Sequence, residues 1–146
     1  MMPQKPLRVV IVAPGPESEG GIRSVVQRIY PRLAQREDLE LTWLASQRAG
    51  SALVKLLFFF RAVLQGLYTI PRADVVHLHD WHAAFYLLFR EFDPASASLQ
   101  SIRTVFSIHN LAYQGHHDPA LLERAGISAA EAGVGSPFEF WGAFNF

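Results

Sequence analysis

Four short apolar runs separated by helical stripes constrain this chain more than any other feature. Leu7 to Ala13 (LRVVIVA), Leu39 to Leu44 (LELTWL), Asp74 to His79 (DVVHLH) and Ile102 to Ile108 (IRTVFSI) have the length and β-rich content of strands. Ile22, Val25, Val26, Ile29, Tyr30 and Leu33 recur at helical spacing after the first run. A longer apolar stretch follows the second, and Trp81 to Phe92 follows the third. Strand and helix thus alternate three times, which predicts an α/β fold: a Rossmann-like parallel sheet with helices on both faces. Apart from Arg8 the first run is apolar, as expected of a strand covered on both faces.

Punctuation supports these bounds. Pro14, Gly15 and Pro16 end the first strand, and Pro31 is expected to kink the first helix or start a new turn. Pro71 closes the second helix and Asp93-Pro94 the third, with ASASLQ read as loop. Pro119 to Ala125 reads as a short helix with Asp118 as its N-cap. From Gly126 onward the chain is rich in Gly, Ala and Pro and ends in an aromatic cluster.

A length of 146 residues suits one domain, and a hydrophobic fraction of 50% excludes intrinsic disorder as a class. Thirteen basic side chains balance thirteen acidic ones, which argues against a nucleic-acid partner. Cysteine is absent, so disulfide scaffolds, thiolate metal sites and cysteine nucleophiles are excluded together. The N-terminal MMPQKPLRVV has no apolar core of a signal peptide, so a cytoplasmic soluble domain is expected.

Ala52 to Ile70 (ALVKLLFFFRAVLQGLYTI) tests that expectation. Its only strongly polar residues are Lys55, Arg61 and Gln65. Leu53, Leu56, Leu57, Phe60, Leu64 and Leu67 recur at steps of three and four, and Phe58, Phe59 and Val63 widen the face they make. The leading reading is a helix packed on the sheet. A helix lying on a membrane surface and a true span are the alternatives.

Open α/β sheets bind ligands beyond the carboxyl ends of their strands. After the first strand stands APGPESEGGI, which is neither a dinucleotide fingerprint nor a P-loop. Gly20 and Gly21 open a helix, where free N–H groups and the helix dipole favour an anion. A ligand-free glycine-rich helix start is the plain alternative. The third strand is followed by His79-Asp80-Trp81-His82 and the fourth by His109-Asn110-Leu111-Ala112-Tyr113-Gln114-Gly115. Two neighbouring strand ends would then present aromatic rings and paired hydrogen-bonding groups, as a sugar with its CH face and hydroxyl rim requires. His77-x-His79-x-x-His82 has the look of a metal site, but His77 and His79 share a strand face while His82 opens a helix. His77 is read as a hydrogen-bonded histidine within the sheet. No serine occupies a nucleophile elbow. Neither a metal nor another cofactor is expected.

The stretch from Asp80 to Ile127, with HDWHAA, TVFSIHNLAYQG and DPALLERAGI, resembles bacterial glycogen synthases and plant starch synthases, and FEFWGAFNF is similar to the segment they carry next. VVIVAPGPESEGGIRSVVQRIYPRL, KLLFFFRAVLQGL and ADVVHLH resemble a broader group of sugar-nucleotide glycosyltransferases that act on lipid or polysaccharide acceptors. Both groups share the two-domain GT-B fold, so residues 1–146 would be a single partial N-terminal, acceptor-side domain without its C-terminal nucleotide-binding partner. The resemblance implies transfer of glucose from ADP-glucose to an α-1,4-glucan with retention of configuration. It further implies that the chain is inactive until such a partner domain is supplied. By the same resemblance His109 and Asp80 are the catalytic candidates, and Gly20, Gly21, Trp81, Asn110, Tyr113 and Gln114 bind substrate or support the binding loop. Ser18 stands where the glycogen synthase loop K-x-G-G-L carries its lysine. That departure suits the broader group, and a non-catalytic carbohydrate-binding module is a further alternative.

Overall fold

The structure, a computed structural model, describes residues 5–110, 120–124, 126, 128, 139–140 and 143–144. The described residues fall into two compact units, one from 5–79 with 102–107 and the other from 80–101 with the described residues after 107.

In the first unit four strands form a parallel sheet: β1 (Leu7–Ala13), β2 (Leu39–Ala45), β3 (Val75–His79) and β4 (Arg103–Ser107). Their order is β2-β1-β3-β4. The two inner strands carry the most deeply buried side chains, Ile11 on β1 and Val76 and Leu78 on β3. The direction of winding reverses between β1 and β3, so the crevice expected of such sheets opens at their carboxyl ends.

Helix α1 (Gly21–Leu33) lies between β1 and β2 in the chain, and α2 (Ala52–Thr69) between β2 and β3. The apolar stripe of α1 works as its spacing predicts. Val26 is fully buried against Ile11 and Ala13, with Ile22, Tyr30 and Leu33 packed around them. Tyr30 also meets the Trp43 ring at 5.6 Å and donates to the Leu41 carbonyl. Pro31 falls in the last turn, and the helix runs on to Leu33. On β2, Leu44 alternates with Trp43 and so points to the opposite face. There it meets α2 at Gly66, where an added Cβ would stand 3.4 Å from a Leu44 methyl. Helices therefore cover both faces, and the α/β, Rossmann-like expectation holds.

One ion pair fixes the register of β1 against β3. The Arg8 guanidinium donates from Nε and Nη2 to the two Asp74 oxygens at 3.2 and 3.1 Å, and the Arg8 amide adds a bond of 2.9 Å to Oδ2. The Asp74 amide returns a bond to the Arg8 carbonyl at 2.8 Å. This bidentate grip holds the Asp74 carboxyl well below its usual range, at about 2.

The second unit holds α3 (Trp81–Phe92), whose Ala84 and Leu88, four residues apart, are buried. It also holds α4 (Ala120–Arg124) and a small antiparallel pair, β5 (Glu139–Phe140) and β6 (Ala143–Phe144).

Three expectations need correcting. Residues 94–101, read as loop, form a run of 3-10 helix. Asp93 starts it by accepting from the Ala95 amide and the Ser96 hydroxyl, and Arg90 closes it on the Leu99 and Gln100 carbonyls. The closing aromatic segment contains the β5–β6 pair, which composition alone did not suggest. The third correction concerns the orientation of α2. Its side towards the sheet is the Phe58, Ala62 and Gly66 side, and Gly66 alone in the helix is buried. The leucine stripe singled out by periodicity faces outward instead. Glycine on the inner side lets the backbone come close to Leu44, and a leucine stripe cannot do this. The expected N-cap Asp118 lies outside the described residues.

Candidate functional site

The loop after β1 is stitched to the loop after β2. Gly15 donates to the Gln47 carbonyl at 2.9 Å, Ser46 to the Ala13 carbonyl at 2.9 Å, and the Ser18 hydroxyl to the same Gln47 carbonyl at 2.8 Å. A Cβ on Gly15 would sit 2.8 Å from that carbonyl oxygen, so the approach demands glycine. Ser18 is only 6% exposed. Ser18, read from the sequence as standing where a lysine would be expected, is thus a buried stitch between the two loops.

The stitched loops end in Gly20 and Gly21. Gly20 has φ of 121° and caps α1 without a side-chain bond, a conformation that favours glycine. A Cβ at either glycine would meet nothing within 4 Å. The first turn of α1 is therefore open and carries no acidic side chain. That arrangement leaves the dipole and the free N–H groups available to an anion.

Beside this loop lies a cavity of about 270 Å³ at the carboxyl ends of β1 and β2. Its lining includes Glu17, Trp43, Arg48, Phe58, Arg61 and Gln65. Arg48 pairs with Glu17 at 2.7 Å and stands 6.0 Å from the centre of the Phe58 ring. The Trp43 indole N–H is buried with no hydrogen-bond partner among the described residues. Aromatic walls with guanidinium and amide groups suit a hydroxylated or anionic small molecule. The sequence reading passed over this cavity, although Arg48 in the polar loop after β2 was a usable signal.

The second unit contains the other candidates. β3 and β4 are parallel neighbours with His79 opposite Ser107. Asp80 follows His79 directly in the chain, and His109 comes two residues after Ser107. The Asp80 Oδ1 accepts from the His109 amide at 2.6 Å, so the two catalytic candidates are brought together. Asp80 has φ of 57° and ψ of 175°. It is the only non-glycine residue with positive φ among the described ones. It is also buried, at 7% exposure. A carboxylate held in a sparsely populated backbone conformation carries roughly 1–3 kcal/mol of strain, kept in place by its contacts. His109 and Asn110 are exposed, and Trp81, the first residue of α3, is half-buried. Tyr113 and Gln114 lie outside the described residues.

His77 takes the role expected of it. Its Nε2 lies 2.8 Å from the Ser107 hydroxyl across the β3–β4 pair, and its ring contacts that of His79 at 4.3 Å.

Comparison with known proteins identifies the family. The starch synthase catalytic domain family matches residues 31–146. The glycogen synthase of Desulfitobacterium hafniense is 36% identical over 92 residues, 61% of this chain and 20% of that protein. The glycogen synthase of Aquifex aeolicus is 40% identical over 89 residues, 60% of this chain and 18% of that protein. That of Opitutus terrae is 37% identical over 75 residues, covering 50% and 16%. The chain spans about a fifth of the length of the curated relatives it matches.

Proposed function

The chain belongs to the starch synthase catalytic domain family, and from that premise we propose that it is the acceptor-side part of a retaining glycosyltransferase that moves glucose from ADP-glucose to an α-1,4-glucan. The observation that carries this reading is the bond from the His109 amide to the strained, buried Asp80. It anchors the start of the loop that bears His109, an exposed residue. An imidazole fixed at its backbone can donate a hydrogen bond to a sugar hydroxyl as charge develops at the anomeric carbon. Asn110 adds an amide next to it, and Trp81 offers an apolar surface to a sugar face. The open first turn of α1 at Gly20 and Gly21 would receive an anionic group of the donor.

Relatives about three times longer support the further reading that transfer needs a C-terminal nucleotide-binding domain. The purified 146-residue chain should show no transfer of labelled glucose to glycogen above a blank. Joined to a complementary C-terminal domain it should turn over, and His109→Ala should then lower kcat about a hundredfold, the scale of one lost transition-state hydrogen bond. Its stability should stay within about 1 kcal/mol of the parent. Unfolding without a separable loss of turnover would assign His109 to the scaffold.

A second reading has its own support. Ser18 is a buried stitch where glycogen synthases carry lysine, and α2 leaves a wide apolar face uncovered within its unit. Both features suit a sugar-nucleotide transferase with a lipid or polysaccharide acceptor. Competing ADP-glucose and UDP-glucose against each other in the joined enzyme separates the donor classes.

A further inference from the structure

The strongest unexplained feature is the outer side of α2. Leu53, Leu56, Leu57, Phe60, Leu64 and Leu67 are each more than half exposed, Leu67 reaching 69%. At 100° per residue they form one continuous stripe roughly 100° wide along about four turns. Isolated exposed leucines are ordinary, but a stripe of six large apolar side chains marks an interaction surface.

Charge decides what this surface faces. The chain as a whole is neutral, yet from Leu41 to Ala73 it carries Arg48, Lys55, Arg61 and Arg72 and not one acidic residue. Arg48 is already engaged by Glu17. Arg61 lies along one edge of the leucine stripe, about 80° from Leu53 by helical geometry. Arg72 follows α2 at the end of a 3-10 turn, Ile70–Arg72, and its guanidinium lies 4.1 Å from the centre of the exposed Tyr68 ring. An apolar stripe with a cation along one edge, and a cation and an aromatic ring at its end, matches a bilayer interface that offers acyl chains below and anionic headgroups above.

Residues Ala52–Arg72 also have the length and composition to cross a bilayer. The fold argues against that. The Gly66 side of α2 is committed to Leu44 of β2, and Phe58 and Ala62 line the cavity beside Trp43 and Ala45. A span would strip this side from the sheet and place Arg61 near the middle of the hydrocarbon, where a charge is costly.

We propose that α2 docks the protein in plane on an anionic lipid surface, its leucine stripe in the acyl boundary and Arg61 and Arg72 among the headgroups. The test is sedimentation of the full chain with vesicles of phosphatidylcholine containing phosphatidylglycerol, against vesicles of phosphatidylcholine alone. Binding should be at least about tenfold stronger to the anionic vesicles and should weaken as salt rises. Leu57→Glu with Leu64→Glu should abolish it while leaving the circular dichroism spectrum unchanged. Arg72→Glu keeps the whole apolar stripe and should weaken anionic binding severalfold, which provides a test should the double variant misfold. No sedimentation of the parent chain with anionic vesicles would overturn the proposal. So would binding that none of these variants alters. A concentration-dependent dimer lost in Leu57→Glu/Leu64→Glu, without vesicle binding, would assign the stripe to a second copy instead.

Discussion

Replacing Asp80 by alanine, glycine and asparagine separates the two contributions that meet at this residue. The carboxylate accepts the His109 amide at 2.6 Å, and the backbone sits at φ of 57°. A hydrogen bond to a charged group is worth about 1.5–3 kcal/mol. The freed His109 amide belongs to an exposed residue, so water can partly replace the lost acceptor, and the lower end applies. With ψ of 175° this is not the left-handed helical well but a region nearly confined to glycine, which costs any L-residue about 1–3 kcal/mol and glycine nothing. Asp80→Ala loses the bond and keeps the strain, a cost of about 2 kcal/mol. Asp80→Gly loses the bond but relieves the strain, so it should be the more stable of the two by about 1 kcal/mol. Asp80→Asn keeps an oxygen acceptor on the same strained backbone, and should cost about 1 kcal/mol. The order of stability is therefore the parent first, Asn and Gly together next, and Ala last. Native-state hydrogen exchange at the His109 amide is the direct assay, because it reads this one donor without assuming that both units unfold together. Protection should persist in Asp80→Asn and vanish in Asp80→Ala and Asp80→Gly. Global stability from urea titration ranks the four proteins. Equal stability of the glycine and alanine variants would refute the strain argument. An unchanged His109 exchange rate in Asp80→Ala would refute the bond.

Two further perturbations test the first unit. Asp74 titrates at about 2 in the folded chain, below the ordinary carboxylate range, so its contribution is fully present above about pH 5 and is lost as pH falls from about 4 to 2. The pair is about one-third exposed, and with solvent screening the effect should be about 1 kcal/mol. Urea titrations should show Asp74→Asn weaker than the parent by that amount at pH 6 and equal to it near pH 2; a gap that persists at pH 2 would assign the loss to packing. Ser18→Lys restores the glycogen-synthase pattern at the price of a buried stitch, and should destabilise the chain by about 2 kcal/mol or more, against about 1 for Ser18→Ala. A lysine variant as stable as the parent would show that the loop can reopen around a cation.

The sheet and the α1 stripe were legible because each rests on a local rule that packing reinforces. β1 is apolar from Val9 to Ala13 because both its faces are covered, and the Val26 side of α1 is apolar because Ile11 and Ala13 lie beneath it. The bond between Asp80 and His109 was legible only as proximity. Parallel neighbours β3 and β4 end level with one another, so the residues that follow them start close. The backbone strain at Asp80 left no sequence mark, since aspartate is common at helix starts for the different reason that its side chain caps amides. Here it makes no such cap. The 3-10 run at 94–101 was hidden because its order comes from Asp93 and Arg90, which precede the polar stretch rather than lie within it.

The apolar helix shows where periodicity misleads. A stripe of leucines at helical spacing states only that one side of a helix avoids water. It does not state what supplies the cover, and a sheet is one candidate among several. What identifies the sheet side of α2 is the smaller, less conspicuous set Phe58, Ala62 and Gly66, spaced four apart. A helix that must come close to a strand needs small residues at the contact, and the largest apolar residues are then free for another partner. The absence of acidic residues from Leu41 to Ala73 was the sequence signal that bore on that partner, because a sheet face places no demand on the sign of flanking charges whereas an anionic surface does.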